Sequence, residues 1–298
     1  MTWKTLLRKA AYVLEMTKPP QLALLAFTAF ASYFAAGGLL SPMKLGLLAI
    51  TSFGAIGGVT ALNMALEVDL DSIMTRTSKR PVPSGRLTRR EALIGSLVLI
   101  AIGFATAALI NWLVLLTCVL ALIFDIPIYT VLLKRRSPLN IIAGGVAGVM
   151  PTLGGWATAT GSIGLPAILL ALAVFLWIPM HIWFIVYYHI DDYRRAKVPM
   201  YPVVAPPQRV AKVVVAFMAL MAASMWFYWA LTGKGLIGDV LLTPLAAWSS
   251  SIILRYSRSM DRGLAKIVFR TANPVLVIAF LGAVFSTPHL APLVYMLR

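Results

Sequence analysis

Nine stretches of this chain are apolar for about the 20 residues that a helix needs to cross a bilayer, and only short polar breaks separate them. They cover residues 21–40, 44–66, 91–110, 112–133, 140–160, 165–188, 210–231, 236–255 and 268–287. Hydrophobic residues make up 60% of the chain, charged residues 12%, and the mean hydropathy is +0.87. No water-soluble domain of 298 residues has a core large enough to hide that much apolar surface. In hydrocarbon the backbone must satisfy itself, and runs of this length do so as helices. The expectation is an all-α polytopic membrane protein, one domain over residues 1–298, built as a nine-transmembrane-helix bundle. The first run is long enough to span and others follow it, so no cleavable signal peptide is expected. Cys118 is the sole cysteine, which leaves no intrachain disulfide and no cysteine-based metal site to expect.

The charges sort by side. With nine spans, 23 of the 26 basic residues fall on one face, and only Lys44, Lys234 and Arg298 fall on the other. The positive-inside rule then predicts a cytoplasmic N-terminus and a C-terminus outside. The net charge of +16 reads as topology together with attraction to anionic lipid or phosphate, with no nucleic acid as a partner.

Only ten acidic residues are present, and five of them sit in two patches on that basic face: Glu67, Asp69 and Asp71 after Asn63, and the pair Asp191-Asp192. Asn63, Glu67 and Asp71 are spaced i, i+4, i+8 and share one face of a regular helix, with Asp69 turned elsewhere. Carboxylates this close repel one another unless a hard cation holds them, and Mg²⁺ suits a site where phosphate completes the shell. Arg76, Lys79 and Arg80 follow the first patch, Arg194 and Arg195 the second, and Lys134, Arg135 and Arg136 form a third cluster. Guanidinium forks and ammonium groups fit the remaining phosphate oxygens, although each is also what a topology signal requires. Residues 66–90, 133–140 and 189–209 are expected to form a cytoplasmic cap over a central cavity. Gly144, Gly148, Gly154 and Gly155 permit close helix approach, and Pro127, Pro151, Pro179 and Pro274 predict kinks.

These residues resemble the UbiA-type intramembrane prenyltransferases, and within them the protoheme IX farnesyltransferase (heme O synthase) branch. The matching text is Thr17-Lys18-Pro19, NMALEVDLDSIMTRTSKRP (63–81), YTVLLKRRSPLN (129–140), GGVAGVMPTLGGW (144–156) and PMHIWFIVYYHIDDYRRAKVPMYPVV (179–204), with weaker similarity over 261–272. Two departures stand out: Glu67 occupies a position where these enzymes usually carry Asp, and Tyr188 occupies the place of an earlier aspartate found in aromatic prenyltransferases.

The resemblance implies Mg²⁺-dependent transfer of a farnesyl group from farnesyl diphosphate to a vinyl of heme B. It implies metal ligation by Asn63, Glu67, Asp69, Asp71, Asp191 and Asp192. Diphosphate would meet Arg76, Lys79, Arg80, Lys134, Arg135 and Arg195, and a prenyl and acceptor pocket would include Tyr129, Asn140, Trp183 and Tyr188. Asn63, Asp71, Asp192 and His181 are the catalytic candidates, with His181 as a heme-iron ligand or proton relay and His189 as its alternative. Trp156, Trp177 and Phe184 join Tyr129 and Trp183 as candidate aromatics to flank a cation. Asp125 reads as a helix-packing acid first and a cavity-lining one second, and His289 as solvated. The implied setting is the plasma membrane with the active site facing the cytoplasm, amid membrane lipid and with heme A synthase or terminal-oxidase assembly proteins as neighbours. An aromatic or archaeal glycerol-lipid acceptor is the alternative within the enzyme class. An anionic-lipid transporter and a noncatalytic heme-binding assembly protein are the alternatives outside it.

Overall fold

The computed structural model describes residues 3–233 and 236–285. Lys234, Arg298, His289, the end of the ninth apolar run and the C-terminus lie outside the described residues. Among those described there is no strand. The helices are α1 Trp3–Met16, α2 Pro19–Ala35, α3 Pro42–Leu66, α4 Val68–Ile73, α5 Arg89–Ile110, α6 Trp112–Leu133, α7 Asn140–Thr160, α8 Leu165–Tyr188, α9 Ile190–Arg195, α10 Tyr201–Val204, α11 Pro207–Thr232, α12 Leu236–Ser259 and α13 Arg262–Phe285.

Seven of these, α3, α5, α6, α7, α8, α11 and α13, are long and apolar enough to cross a membrane. The chain is an integral membrane protein. Two of the nine expected spans fall outside that set. The first apolar run is cut at Ala36 and Gly37, where Gly37 takes φ 82°, and α2 keeps 17 residues. α12, Leu236–Ser259, is the second run outside the set. Exposed leucines, isoleucines and tryptophans along α5, α6 and α11 face outward, as a lipid solvent requires.

α1 is a helix that the charge pattern alone does not reveal. Trp3, Leu7 and Leu14 lie exposed along one stripe. The opposite side is tied down by Lys9 to Glu91 and by twin 2.8 Å bonds from Arg86 to Glu15. A basic amphipathic helix of this kind suits a bilayer interface. Glu91 is also half of a capping box with Thr88, which starts α5.

α2, α3, α6, α7, α8 and α13 surround a central chamber, with α11 and α12 packed behind α8 and α13. Backbone contact closes the ring where side chains are absent. A Cβ on Gly155 of α7 would sit 1.9 Å from the carbonyl oxygen of Ala29 in α2, and one on Gly103 of α5 would sit 2.3 Å from the backbone nitrogen of Ala55 in α3. Both helix pairs therefore depend on glycine. Gly144 and Gly148 line the chamber as Gly155 does, against Tyr129 and Ile178.

Candidate active site

The chamber has a volume of about 650 Å³. Its neck carries the polar residues: Asn63, Glu67 and Asp71 on one side, with Lys18, Arg76, Arg80, Asp125, Tyr129 and Lys134 around them. The rest is mainly apolar and aromatic, with His181, Trp177, Phe269 and Asn273 in its wall.

The first acidic patch does not lie on one unbroken helix. α3 stops at Leu66, and Glu67 takes φ −103°, ψ 22° before α4 begins. Even so, the Glu67 N–H donates to the Asn63 carbonyl (3.1 Å) and the Asp71 N–H to the Glu67 carbonyl (2.9 Å). The four-residue bonding survives the break, so Asn63, Glu67 and Asp71 still face the chamber together. Asp69 points away, and an Arg135 fork holds it at 2.6 and 2.8 Å on an exposed surface. That hydrogen bond keeps the Asp69 carboxyl below its usual range.

Each buried acid of the patch meets a cation. Arg80 Nη1 donates to both oxygens of Asp71 at 2.7 Å, and Lys134 Nζ donates to Glu67 Oε2 at 2.5 Å. Asp71 and Glu67 are nearly inaccessible, at 4% and 2% exposure, so these pairs sit where charge attraction is strong. Glu67 Oε1 is buried with no partner. Lys18 joins the same neck from a left-handed backbone conformation (φ 49°) directly before Pro19, a costly arrangement for lysine. Burial, then the Arg80 and Lys134 charges, lowers its ammonium to about 8.

The second acidic patch is placed differently. Asp192 turns its carboxylate onto the segment after α4, accepting from the Thr75 and Arg76 N–H groups at 3.1 Å each and from Arg195. Burial pushes its carboxyl up, but these donors prevail and hold it below the usual range. Arg195 also donates to Thr75 Oγ1 at 2.6 Å. Asp191 is exposed and pairs with Arg262 at 2.7 Å. Neither aspartate lines the chamber, and neither do Lys79, Arg135 or Arg195.

Among the pocket residues that the sequence suggests, only Tyr129 lines the chamber, 5.3 Å below Lys134 Nζ. Asn140 is fully buried and donates to the Lys134 carbonyl (3.4 Å), bracing the turn that carries the lysine. Trp183 packs on Tyr201, and Tyr188 lies between His189 and Lys266. Trp156 and Phe184 are packing residues away from the chamber. His181 is held between Trp177 and Phe269, with ring centroids 4.8 Å from each. Trp177 is itself pinned by a 2.6 Å bond to the Ala272 carbonyl. His181 Nδ1 and Asn273 Oδ1 are buried without partners. Asp125 reaches the chamber rather than only packing helices.

Sequence reasoning overlooked Lys18, Thr130, Phe269 and Asn273. Lys18 stood in the open as a charged residue before proline, but its role as a topology signal masked it. Thr130 and Asn273 gave no sign, because one hydroxyl or amide in an apolar run looks the same whether it faces a neighbour or a cavity.

Among the described residues no three of His, Cys, Asp and Glu converge into a ready metal cage. An all-oxygen set is nevertheless present in Asn63, the unpartnered Glu67 Oε1 and Asp71. It fits a hard cation that takes one or two carboxylates and completes its shell with substrate phosphate.

A profile of the UbiA prenyltransferase family matches residues 24–274. A protoheme IX farnesyltransferase of Aeropyrum pernix is 45% identical over 275 residues, covering 92% of this chain and 91% of the relative. One of Korarchaeum cryptofilum is 44% identical, covering 92% and 93%. The solved apo structure of a UbiA homolog from Aeropyrum pernix K1 superposes with a TM-score of 0.72 at 24% identity, over 90% of this chain and 98% of that one. A UbiA homolog from Archaeoglobus fulgidus bound to GPP and Mg²⁺ gives 0.67 at 17% identity, over 92% and 99%. From the matched motifs, the chamber and these likenesses together, the chain belongs to the UbiA prenyltransferase family.

Proposed function

We propose that the protein transfers a farnesyl group from farnesyl diphosphate to a vinyl of protoheme IX, giving heme O and diphosphate. The observation that carries this reading is one chamber with a cationic and oxygen-donor neck and a mainly apolar interior that includes His181. The relatives named protoheme IX farnesyltransferase support the acceptor.

Asn63, Glu67 and Asp71 are the residues to hold Mg²⁺ with the diphosphate, and a cation there neutralises charge on the leaving group. Arg76, Arg80, Lys134 and Lys18 grip the phosphate oxygens and stabilise charge as the allylic carbon–oxygen bond breaks towards diphosphate. Asp192, by ordering Thr75 and Arg76, keeps that arginine over the neck. The apolar walls keep water from capturing the allylic carbon early, and Tyr129 offers its ring face to the developing positive charge. The vinyl terminal carbon then bonds to farnesyl C1. A hydroxyl from water adds to the other vinyl carbon, and the water's remaining proton leaves with diphosphate. His181 and Asn273 are polar groups in the wall available to the porphyrin. We place the nine-span count, the cytoplasmic N-terminus, the C-terminus outside, and the cap of residues 66–90, 133–140 and 189–209 in the same reading, in the plasma membrane with the neck facing the cytoplasm.

The test is purified protein in detergent with heme B, farnesyl diphosphate and Mg²⁺, analysed by mass spectrometry. A farnesylated, hydrated heme that vanishes with EDTA is the expected product. Diphosphate release with an aromatic acceptor but none with heme would overturn the acceptor. No turnover with any acceptor would return weight to transport or heme binding.

A further inference from the structure

The last ten residues of α6, Phe124–Leu133, are π-helical and contain Pro127, which has no N–H to donate. In a π-helix the repeating bond joins residues five apart, as the Lys134 N–H does to the Tyr129 carbonyl at 2.8 Å. Residues five apart then lie nearly above one another. Tyr129 and Lys134, which an α-helix would turn well apart, both reach the chamber. Asp125 and Thr130 are the next such pair, and Thr130 Oγ1 donates to the Asp125 carbonyl at 2.6 Å.

A threonine hydroxyl has one proton. With that proton committed to Asp125, Thr130 Oγ1 can only accept from Asn63, whose Nδ2 lies 2.7 Å away. Both side chains are buried, so water does not compete. One turn on, Lys134 binds Glu67 Oε2, so Asn63 and Glu67, four apart on α3 and its extension, meet Thr130 and Lys134, four apart on α6. The oxygens this ladder leaves unengaged are Asn63 Oδ1 and Glu67 Oε1.

We propose that Thr130 is a positioning residue for the metal–diphosphate site: by accepting from Nδ2 it presents Asn63 Oδ1, rather than the amide NH₂, to the cation. A flipped amide would offer two N–H donors to a positive ion. The proposal rests on the metal–diphosphate reading of the neck given above.

The test is an electron paramagnetic resonance titration of full-length protein with Mn²⁺ in the presence of inorganic pyrophosphate. Thr130→Val keeps shape and removes the acceptor, and Thr130→Ser keeps the acceptor. The expected result is Mn²⁺ binding roughly 10- to 100-fold weaker in Thr130→Val and wild-type binding in Thr130→Ser. In an Asn63→Asp background either side-chain oxygen serves, so there the Thr130→Val penalty should vanish. Wild-type affinity in Thr130→Val overturns the assignment. So does an equal loss in Thr130→Ser, or a penalty undiminished beside Asn63→Asp. Wild-type protein that binds no Mn²⁺ with pyrophosphate overturns the reading of the neck itself, and this inference with it.

Discussion

The two acidic patches look alike in sequence, each following an apolar helix and each trailed by arginines and a proline, yet they occupy unlike positions. Asp71 faces the chamber and shares its charge with Arg80. Asp192 faces the segment that leads to Arg80 and binds its backbone N–H groups at Thr75 and Arg76. One patch supplies groups to the site, and the other fixes the strap that carries part of it. A carboxylate's role thus depends on what its two oxygens meet. The four-residue bonding that survives the break at Glu67 keeps Asp71 on the chamber face, while α9 turns Asp192 onto the strap.

The sharpest way to break this comparison is Asp71→Asn. Losing the chamber carboxylate and leaving Arg80 half-paired should lower turnover by on the order of 10³-fold, read as heme O formed per enzyme. Asp192→Asn comes next: the KM for farnesyl diphosphate should rise roughly tenfold through loss of charge-assisted bonds to the strap, with Mn²⁺ affinity unchanged. Should it weaken Mn²⁺ binding as strongly as Asp71→Asn, the patches are equivalent and the contrast fails.

Lys18 gives a pH test of the neck. Its ammonium, at about 8 against an ordinary 10.5, is charged below about 8 and is lost as pH rises through that value. Pyrophosphate affinity should therefore fall above pH 8, and Lys18→Arg should flatten the fall. The same shift has the opposite effect on folding. Between about 8 and 10.5 the unfolded chain binds more protons than the folded one, so this group makes stability rise with pH. Calorimetric melting in the two proteins separates the effects. The smallest change is expected for Arg135→Gln, whose exposed pair with Asp69 lies off the chamber. Stability should move by no more than about 1 kcal/mol and turnover hardly at all.

Much of the site was legible because charge in an apolar chain is conspicuous. Asn63, Glu67, Asp71, Arg76, Arg80 and Lys134 all reach the neck, and Tyr129 and His181 reach the interior. Asp69 shows how far spacing carries. The i, i+4, i+8 pattern placed it off the common face, and it lies there although the helix is interrupted. Trp183, Tyr188 and Asn140 were beyond such reasoning, since an aromatic or amide near the membrane surface packs, stacks or lines a cavity according to which helix stands opposite.

The sequence by itself determined that the protein lives in a membrane and which family it belongs to. Those follow from transfer free energies and local motifs, which need no partner to be read. Only the tertiary structure decided that Lys18 enters the neck and that Asp192 grips a strap. It alone decided that a π-helical turn sets Thr130 against Asn63. Each of these depends on contacts between residues tens to more than a hundred positions apart, where packing chooses among orientations that local sequence leaves nearly equal in energy.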